Sequence, residues 1–440
     1  MRVAVLGAGY AGVAAARELE SRLPRDVEIV LVDEDGRHLV RHEVHRVVRR
    51  PSVVDAIELD AADLLDRTAV RRARVTGLDP DAGVADLDPT GGADDTAPAE
   101  DSTDADPLSG AGADPGDTSA DEADEADDPA RLGFDYAVVT LGAETAFYDL
   151  PGVREHATPL KSVADAEAIR ETFLGLPAGG RFVVGGAGLS GVQLAGELAA
   201  LAAERDLDRE VVVVEMADSV APSFAPRFQS AVRTALEDAG VDVRTGWCVE
   251  RAGAAAVRTD RGEIAYDGFA WTGGIRGDGA LAGERPVVDR HLRLGERVFG
   301  AGDAVRVVDV DGEPVPAAAQ TAIRQAPVAA ENVARLVDHD HGGDSDGGSD
   351  SDGFRPRLSS YRYESLGWVV SVGDDAVAQL GPTVLRGRPA VAAKTAVGAG
   401  YLSKVGAVRR SVDLLNEELG LGDAVHGETP VDAEGAVVGR

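Results

Sequence analysis

The sequence predicts an α/β protein with two domains built on parallel sheets, because one pattern occurs twice along its 440 residues. In each copy a run of β-branched residues ends in a turn with three glycines. An alanine-rich amphipathic segment follows, and a second β-branched run then ends in an acid. The glycines and acids are Gly7, Gly9, Gly12 and Asp33 in the first copy, and Gly186, Gly188, Gly191 and Glu215 in the second.

The glycine spacing indicates a Rossmann-like dinucleotide site in each copy. The first glycine permits a tight turn, the second lets backbone approach a pyrophosphate, and the third lets helix pack on strand. The phosphates would then meet a helix N-terminus. Asp33 lies 21 residues after Gly12, and Glu215 lies 24 after Gly191, about where a carboxylate accepts hydrogen bonds from ribose. We therefore predict two bound dinucleotides; the alternative is a nucleotide-free α/β protein with glycine turns.

Composition sets the context. The net charge is −33, and residues 86–129 hold 16 acids and no Lys or Arg, which leaves −17 elsewhere. Only three lysines accompany 41 arginines. Such a surface suits a salt-saturated cytoplasm, which predicts a halophilic protein, and it disfavours nucleic-acid binding. Residues 88–129 lack large apolar side chains except Leu108 and predict a disordered acidic insertion, as residues 339–353 predict an acidic linker.

The single cysteine, Cys248, excludes a redox-active disulfide and is expected to be a small buried hydrophobe. No cleavable leader precedes the first strand, and no run approaches 18 apolar residues. These observations predict a cytoplasmic protein.

Further stretches resemble the type II NADH dehydrogenases, the single-chain NADH:quinone oxidoreductases of the two-dinucleotide-domain flavoproteins. The likeness covers most of residues 1–335 outside the insertion. The matching stretches are 139–153, 160–162, 181–198, the strand and helix around Glu215, 270–274, 298–304 and 319–322.

The resemblance implies an FAD-binding domain interrupted by an NAD(H)-binding domain, and a C-terminal α+β region. The implied boundaries are 1–154 and 276–338 for the FAD domain, 155–275 for the NAD domain, 339–353 for the linker and 354–440 for the C-terminal region.

The resemblance also assigns cofactor-binding residues. The first turn and Asp33 would hold the adenosine half of FAD, and Gly302 with Asp303 would hold its ribityl and flavin-side phosphate. The second turn would bind NADH, and Glu215 would repel a 2′-phosphate and so select against NADPH. A helix starting at Pro316 would point its positive end at the flavin. Gly142, Ala319 and Gly273 complete the implied cofactor contacts.

The acceptor side departs from the family. The resemblance implies a proton-relay glutamate where this chain has Gln193, and a glutamine where it has Arg324. Gln193, Gln320 and Arg324 are the candidate catalytic residues, and a quinone is the expected acceptor. Two alternatives stay open: a reductase that docks ferredoxin or rubredoxin at Arg324 and the arginines of residues 37–50, and a non-catalytic NADH-sensing flavoprotein. A sulfide:quinone reductase is disfavoured because its chemistry needs cysteines.

Two further segments have local patterns. His38, His42 and His45 would share one face of a helix, but the interleaved arginines would repel a cation, so no metal site is expected. The C-terminal region begins with three strand patterns, at 361–364, 367–373 and 376–380. Residues 386–410 then hold six cations and no acid. They predict either peripheral contact with the inner face of the cell membrane, with Tyr401 as the candidate anchor, or a structural helix or homodimer contact.

Overall fold

The computed structural model describes residues 1–89, 129–343 and 356–404, together with Ala407. Its first layer is a five-stranded parallel sheet. Across the sheet, the strands are Val298–Gly300, Tyr136–Val139, Arg2–Leu6, Glu28–Asp33 and Ala69–Arg72. The central strand is apolar throughout because both faces are covered: Val3 and Val5 pack under two helices, and Ala4 and Leu6 pack under an antiparallel sheet.

The two helices on this sheet are Tyr10–Arg22 and Ala319–Gly343. They pack through small side chains, including Ala11, Ala15 and Ala326, which allow close approach. The first helix begins directly at the glycine turn, a few residues before the predicted apolar run.

A second parallel sheet has four strands. In order they are Asp242–Thr245, Arg209–Glu215, Gly180–Gly185 and Gly268–Trp271. The helices of this unit are Val163–Gly175, Leu189–Glu204 and Pro226–Asp238. The chain enters and leaves the unit through Glu144–Thr145 and Ile275–Arg276, which pair as a two-stranded antiparallel ribbon. Two parallel sheets with helices packed on one face therefore occur, which gives the two Rossmann-like units that the duplicated pattern predicts.

Each parallel sheet carries a small antiparallel one. The first contains Arg74–Asp79, Val84–Asp88 and Arg131–Gly133, and the second contains Val249–Gly253, Ala256–Thr259 and Gly262–Ala265. Because Val84 pairs with Gly133, the acidic insertion joins neighbouring strands. Residues 90–128 themselves lie outside the described residues. The same is true of residues 344–353 of the predicted acidic linker, whereas its residues 339–343 belong to helix Ala319–Gly343.

Short elements complete these units. They are strands Arg37–Leu39, Glu58–Asp60, Val287–Val288 and Arg306–Val307, helices Val54–Ile57 and Val153–His156, and 3-10 turns Arg41–Val48, Pro51–Val53, Ala61–Leu64, Gly279–Leu281 and Gly302–Ala304. Cys248 lies between strands and is exposed, so the expectation of a buried thiol was wrong.

The C-terminal region is a three-stranded antiparallel sheet followed by a helix. Its strands are Trp368–Val372, Asp375–Leu380 and Thr383–Arg386, and its helix is Arg388–Lys404. The strand predicted at 361–364 does not form, because Tyr361 and Tyr363 donate their amides to Arg290 and Asp309 of the first unit instead of to a ladder.

The C-terminal sheet packs closely on helix Leu189–Glu204. A Cβ added at Gly196 would lie 2.5 Å from the amide nitrogen of Gly373. The C-terminal region therefore contacts the second unit directly. It also contacts the first unit, because Lys394 of the C-terminal helix pairs with Glu43 at 3.1 Å. It bridges the two units.

Candidate cofactor and acceptor site

The two glycine turns have the same geometry. Gly7 and Gly186 have φ of +105° and +97°, a conformation that side chains rarely adopt. Gly9 and Gly188 are different: their φ values of −67° and −65° suit any residue. A Cβ at Gly9 would have its nearest protein neighbour at 4.0 Å, and one at Gly188 would have none within 4 Å. Neither backbone nor packing therefore requires the second glycine, whereas a pyrophosphate approaching the turn would.

The third glycine of each turn is required by packing. A Cβ at Gly12 would lie 1.8 Å from the Gly7 carbonyl oxygen, and one at Gly191 would lie 1.9 Å from that of Gly186. Each carbonyl also accepts a hydrogen bond from a threonine hydroxyl, Thr140 at 2.9 Å and Thr272 at 3.0 Å. The geometry of the turn is thus set by protein contacts before any ligand binds.

The two acids also occupy equivalent positions. Asp33 accepts a hydrogen bond from the Ala8 amide at 2.8 Å, and Glu215 accepts one from the Ala187 amide at 2.7 Å. Each acid also accepts from an amide just downstream, at Gly36 or Ala217. The acids therefore brace the turns, in addition to the ribose contact that the sequence predicts for them.

Gly302 and Asp303 follow strand Val298–Gly300 beside the first turn. The Gly302 amide donates to the buried Gln325 side chain at 2.8 Å, and a Cβ at Gly302 would lie 3.3 Å from that of Ala11. Arg285 donates to the Asp303 carbonyl oxygen at 2.6 Å. Within the described ranges no protein group hydrogen-bonds the Asp303 carboxylate, so it can accept from a ligand's hydroxyls. These residues fit the ribityl side of a flavin nucleotide.

A cation lies near this carboxylate. Burial and the charge of Arg41 lower the pKa of the Lys161 amine to about 8, although Asp303 acts in the opposite direction. The like charges of Lys161 and Arg41, held close together, favour the binding of an anion between them. Gly142, with φ of +78°, lies beside Arg41: its Cβ would be 3.6 Å from a guanidinium nitrogen.

The helix expected at Pro316 begins at Ala319 instead. Val315 donates its amide to Val307, so the chain is still paired there, and Thr321 donates its hydroxyl to the Pro316 carbonyl. The proline therefore ends an extended segment. Ala319 lies at the positive end of the helix, as predicted.

Two of the three acceptor-side residues, Gln320 and Arg324, bind the same segment of the C-terminal region. Gln320 donates to the Gly367 carbonyl at 3.2 Å, and Arg324 donates to the Glu364 carbonyl and pairs with its carboxylate at 3.6 Å. Arg324 thus ties the helix to the C-terminal region. Gln193 is half-buried on helix Leu189–Glu204. Gly273 of the second unit follows Thr272, and its Cβ would overlap the Trp271 ring.

One helical turn after Gln193 lies Glu197, which is 5% exposed. Burial raises the pKa of its carboxyl to about 7, against the opposing charges of Lys394 and Arg49. Arg49 is 3.9 Å away, and it also binds Asp374 at 2.8 Å. The sequence reasoning missed this carboxylate, although its spacing of four residues from Gln193 placed it on the same helix face.

The three histidines do not share a helix face. His38 lies in a strand, donates Nδ1–H to the Ala8 carbonyl at 2.8 Å and contacts the Tyr401 hydroxyl at 2.8 Å. His45 contacts Ser371 at 3.0 Å, and His42 bonds Tyr10. Across the described ranges, no three or more His, Cys, Asp or Glu side chains converge on a metal position.

Two expectations about exposed residues were wrong. Arg46 and Arg49, counted as part of a docking surface for a small redox protein, are 4% and 7% exposed because they pair with buried acids. Tyr401, the candidate membrane anchor, is 8% exposed and packs edge-on against Tyr10 at 5.0 Å between ring centroids. Arg409 and Arg410 lie outside the described residues.

Thr140, Thr272, Gln325 and the Tyr10–His42 pair were not predicted as site residues. The sequence did contain a signal for the threonines. Each directly follows the strand that is fourth in chain order within its parallel sheet, and a glycine follows within two residues. The other contacts join residues distant in sequence and had no local signal.

Comparison with known proteins agrees with this geometry. The family model of the pyridine nucleotide-disulphide oxidoreductases matches residues 1–326. The type II NADH:quinone oxidoreductase of Staphylococcus aureus (strain MSSA476) is 22% identical over 444 residues, covering 92% of this chain and 96% of the relative. That of Staphylococcus epidermidis is 23% identical with the same coverage.

Among solved structures, NDH2 from Plasmodium falciparum in complex with NADH has a TM-score of 0.73. It is 12% identical in sequence, and the match covers 96% of this chain and 98% of that one. The fold is therefore shared along nearly the whole length of both chains.

Proposed function

The chain belongs to the pyridine nucleotide-disulphide oxidoreductase family, and from that premise we propose that it is an FAD-dependent NADH dehydrogenase that passes electrons to a quinone. The observation that carries the proposal is the open space at Gly9 and Gly188. Two turns in one chain each keep a glycine that only a ligand explains. The relatives named type II NADH:quinone oxidoreductase, which match 92% of the chain, support quinone as the acceptor.

Bound FAD would supply the redox chemistry, with hydride acceptance from the nicotinamide and electron transfer to the second acceptor. The protein binds and aligns the two cofactors. The Gly9 turn and Asp33 would hold the adenosine half of FAD, Asp303 would accept from its ribityl hydroxyls, and the N-terminus at Ala319 would favour negative charge on the reduced ring. The Gly188 turn and Glu215 would hold NADH.

The ferredoxin-type alternative has less support, because the arginine surface that it requires is largely buried or paired. Arg324 is bound by Glu364, and Arg37 pairs with Glu58 at 2.6 Å. Anaerobic reduction by NADH, followed by mixing with a short-chain quinone, ferredoxin or oxygen, tests the assignment. We expect the quinone to reoxidise the flavin fastest. Faster reoxidation by ferredoxin would contradict the proposal, and absence of flavin reduction by NADH would overturn it entirely.

We further propose that the chain meets its quinone at the inner surface of the cell membrane through helix Arg388–Lys404. No helix in the described part of the chain is long and apolar enough to cross a bilayer. Arg388 is exposed on this helix, and Val397 is 55% exposed. Cations near anionic lipid and apolar side chains at the interface both favour such binding.

Val397→Glu tests this contact, with Val287→Glu as a matched control because Val287 is 58% exposed on a different unit. We expect only Val397→Glu to lower co-sedimentation with phosphatidylglycerol vesicles. Equal co-sedimentation of both variants would show that the helix is not the membrane contact. The homodimer expected as an alternative stays a prediction, which the sedimentation velocity of the same samples would measure.

A further inference from the structure

Two consecutive contacts join three protonatable groups beside the flavin-side motifs. Tyr10 is the first residue of the helix that starts at the Gly9 turn, and its hydroxyl bonds Nδ1 of His42. Nε2 of the same imidazole lies 3.4 Å from a carboxylate oxygen of Glu43. The order is therefore Tyr10, His42 and Glu43.

The hydrogen bonds define how protons are arranged. The His42 amide donates to the Tyr10 hydroxyl oxygen at 3.2 Å, so that oxygen already accepts one bond. In the neutral imidazole the Tyr10 O–H then donates to Nδ1, and Nε2–H faces Glu43. Protonation of His42 reverses the first bond: Nδ1–H donates to Tyr10, and the phenol proton becomes available to another acceptor.

Glu43 places a buried carboxylate beside the His42 imidazole. It is 1% exposed and is held by Lys394 at 3.1 Å and Arg46 at 3.5 Å. Although burial opposes ionisation, Lys394 and His42 hold the pKa of the Glu43 carboxyl well below its usual range. A permanent carboxylate therefore lies behind Nε2 of His42 and orients the imidazole.

Other groups also face this imidazole. His38, His45 and Arg41 come from neighbouring segments, and the Tyr401 ring of the C-terminal helix lies 6.5 Å away between centroids. Burial raises the pKa of Tyr10 far above its usual value, with Asp303 adding to the shift. Tyr10 can therefore lose its proton only while it receives another from His42.

The proposed function leaves a proton unassigned, and the inference rests on that function. Reduction of a quinone to its quinol takes two electrons and two protons. Bound FAD, after hydride transfer from NADH, would supply the electrons and one proton. Gln193 stands where the resemblance implies a proton-relay carboxylate, and an amide cannot supply the second.

We propose that His42, supported by Glu43, delivers the second proton to the quinone oxygen through the Tyr10 hydroxyl. In this step the Tyr10 O–H bond breaks as the quinone O–H bond forms, and Nδ1–H of His42 restores the phenol. His42 becomes neutral and takes a proton from water.

Single-turnover reoxidation of NADH-reduced enzyme tests the relay, with two acceptors in parallel. A short-chain quinone requires protons, whereas ferricyanide takes single electrons without one. In His42→Gln and Tyr10→Phe we expect reoxidation by the quinone to slow by about 100-fold, with unchanged reoxidation by ferricyanide and unchanged flavin reduction by NADH. His45→Gln is the matched control. It removes an imidazole from the same 3-10 turn, but this imidazole contacts Ser371 and not Tyr10.

A second readout does not depend on turnover. Nitrogen NMR of histidine-labelled, FAD-loaded protein should show the His42 resonance titrating at the pH where quinone reoxidation has its inflection, and His42→Gln should abolish both. If His42→Gln lost FAD, Tyr10→Phe, which keeps the ring, would carry the kinetic test. Quinone reoxidation at the parent rate and pH profile in these variants would overturn the relay alone. Failure of the unmodified protein to reduce any quinone would overturn the proposed function instead.

Discussion

Replacing Gly188 by alanine should weaken NADH binding and leave the fold intact. Its φ of −65° and ψ of 177° are accessible to alanine, and no protein atom lies within 4 Å of the added Cβ. Where the backbone is compatible, a Gly-to-Ala change stabilises by about 0.4–1 kcal/mol, because the unfolded chain loses freedom. The methyl group would instead occupy the space in which the pyrophosphate approaches the helix N-terminus. We expect NADH affinity to fall by roughly 10- to 100-fold, or about 1.4–2.8 kcal/mol.

Gly191→Ala is the matched comparison, three residues away in the same turn. Its Cβ would lie 1.9 Å from the Gly186 carbonyl oxygen and 2.7 Å from the Thr272 hydroxyl. Such overlap forces the helix away from the strand and should cost about 3 kcal/mol of folding free energy or more. The two alanine variants therefore separate a ligand requirement from a packing requirement.

The assay measures the rate of flavin reduction against NADH concentration, with the unfolding temperature recorded on the same samples. We expect Gly188→Ala to keep or slightly raise the unfolding temperature and to need much more NADH, and Gly191→Ala to unfold at a lower temperature. Half-saturation of Gly188→Ala at the parent NADH concentration would refute the reasoning, since the open space would then not be the pyrophosphate site.

Three other changes probe separate parts of the site. Asp303→Ala should lose flavin, measured as absorbance per chain, because alanine removes the carboxylate that would accept from the ribityl hydroxyls; full occupancy at low FAD concentration would rule out that placement. Glu215→Ala should narrow the preference for NADH over NADPH by roughly tenfold, measured as the ratio of kcat/KM values; equal use of both by the parent would contradict the role of Glu215. Burial raises the pKa of the Glu197 carboxyl from 4.5 in the unfolded chain to about 7. The stability that comes with the neutral carboxyl is therefore fully present below pH 4.5 and is lost as the pH rises through 7. Glu197→Gln should therefore stabilise the protein near pH 8 by about 3 kcal/mol and much less near pH 5, measured by chemical denaturation; equal effects at the two pH values would argue against this carboxyl as the source.

Local sequence determined the fold class and the two turns. A run of β-branched residues, three spaced glycines and an acid at the end of the next strand are all short-range features, and each has a backbone reason to form a strand, a turn and a helix in that order. The structure confirmed this order twice, together with the α/β architecture. The cofactor roles of Asp33, Glu215 and the glycines stay predictions, supported by the empty space at Gly9 and Gly188.

Only the tertiary structure decided which charged side chains are buried and which partners they have. The arginines of residues 37–50 look alike in sequence, yet Arg37 is exposed and Arg46 is buried against Glu43. Tyr401 is separated from His38 by 363 residues, and its hydroxyl nevertheless bonds that imidazole. The burial of a cation and the group that it pairs with set its role: binding another protein, stabilising a buried acid or tuning a histidine. Burial and pairing both depend on contacts between residues distant in sequence. Periodicity and turn chemistry act within about ten residues, so they could specify the sheets and turns but not these pairings.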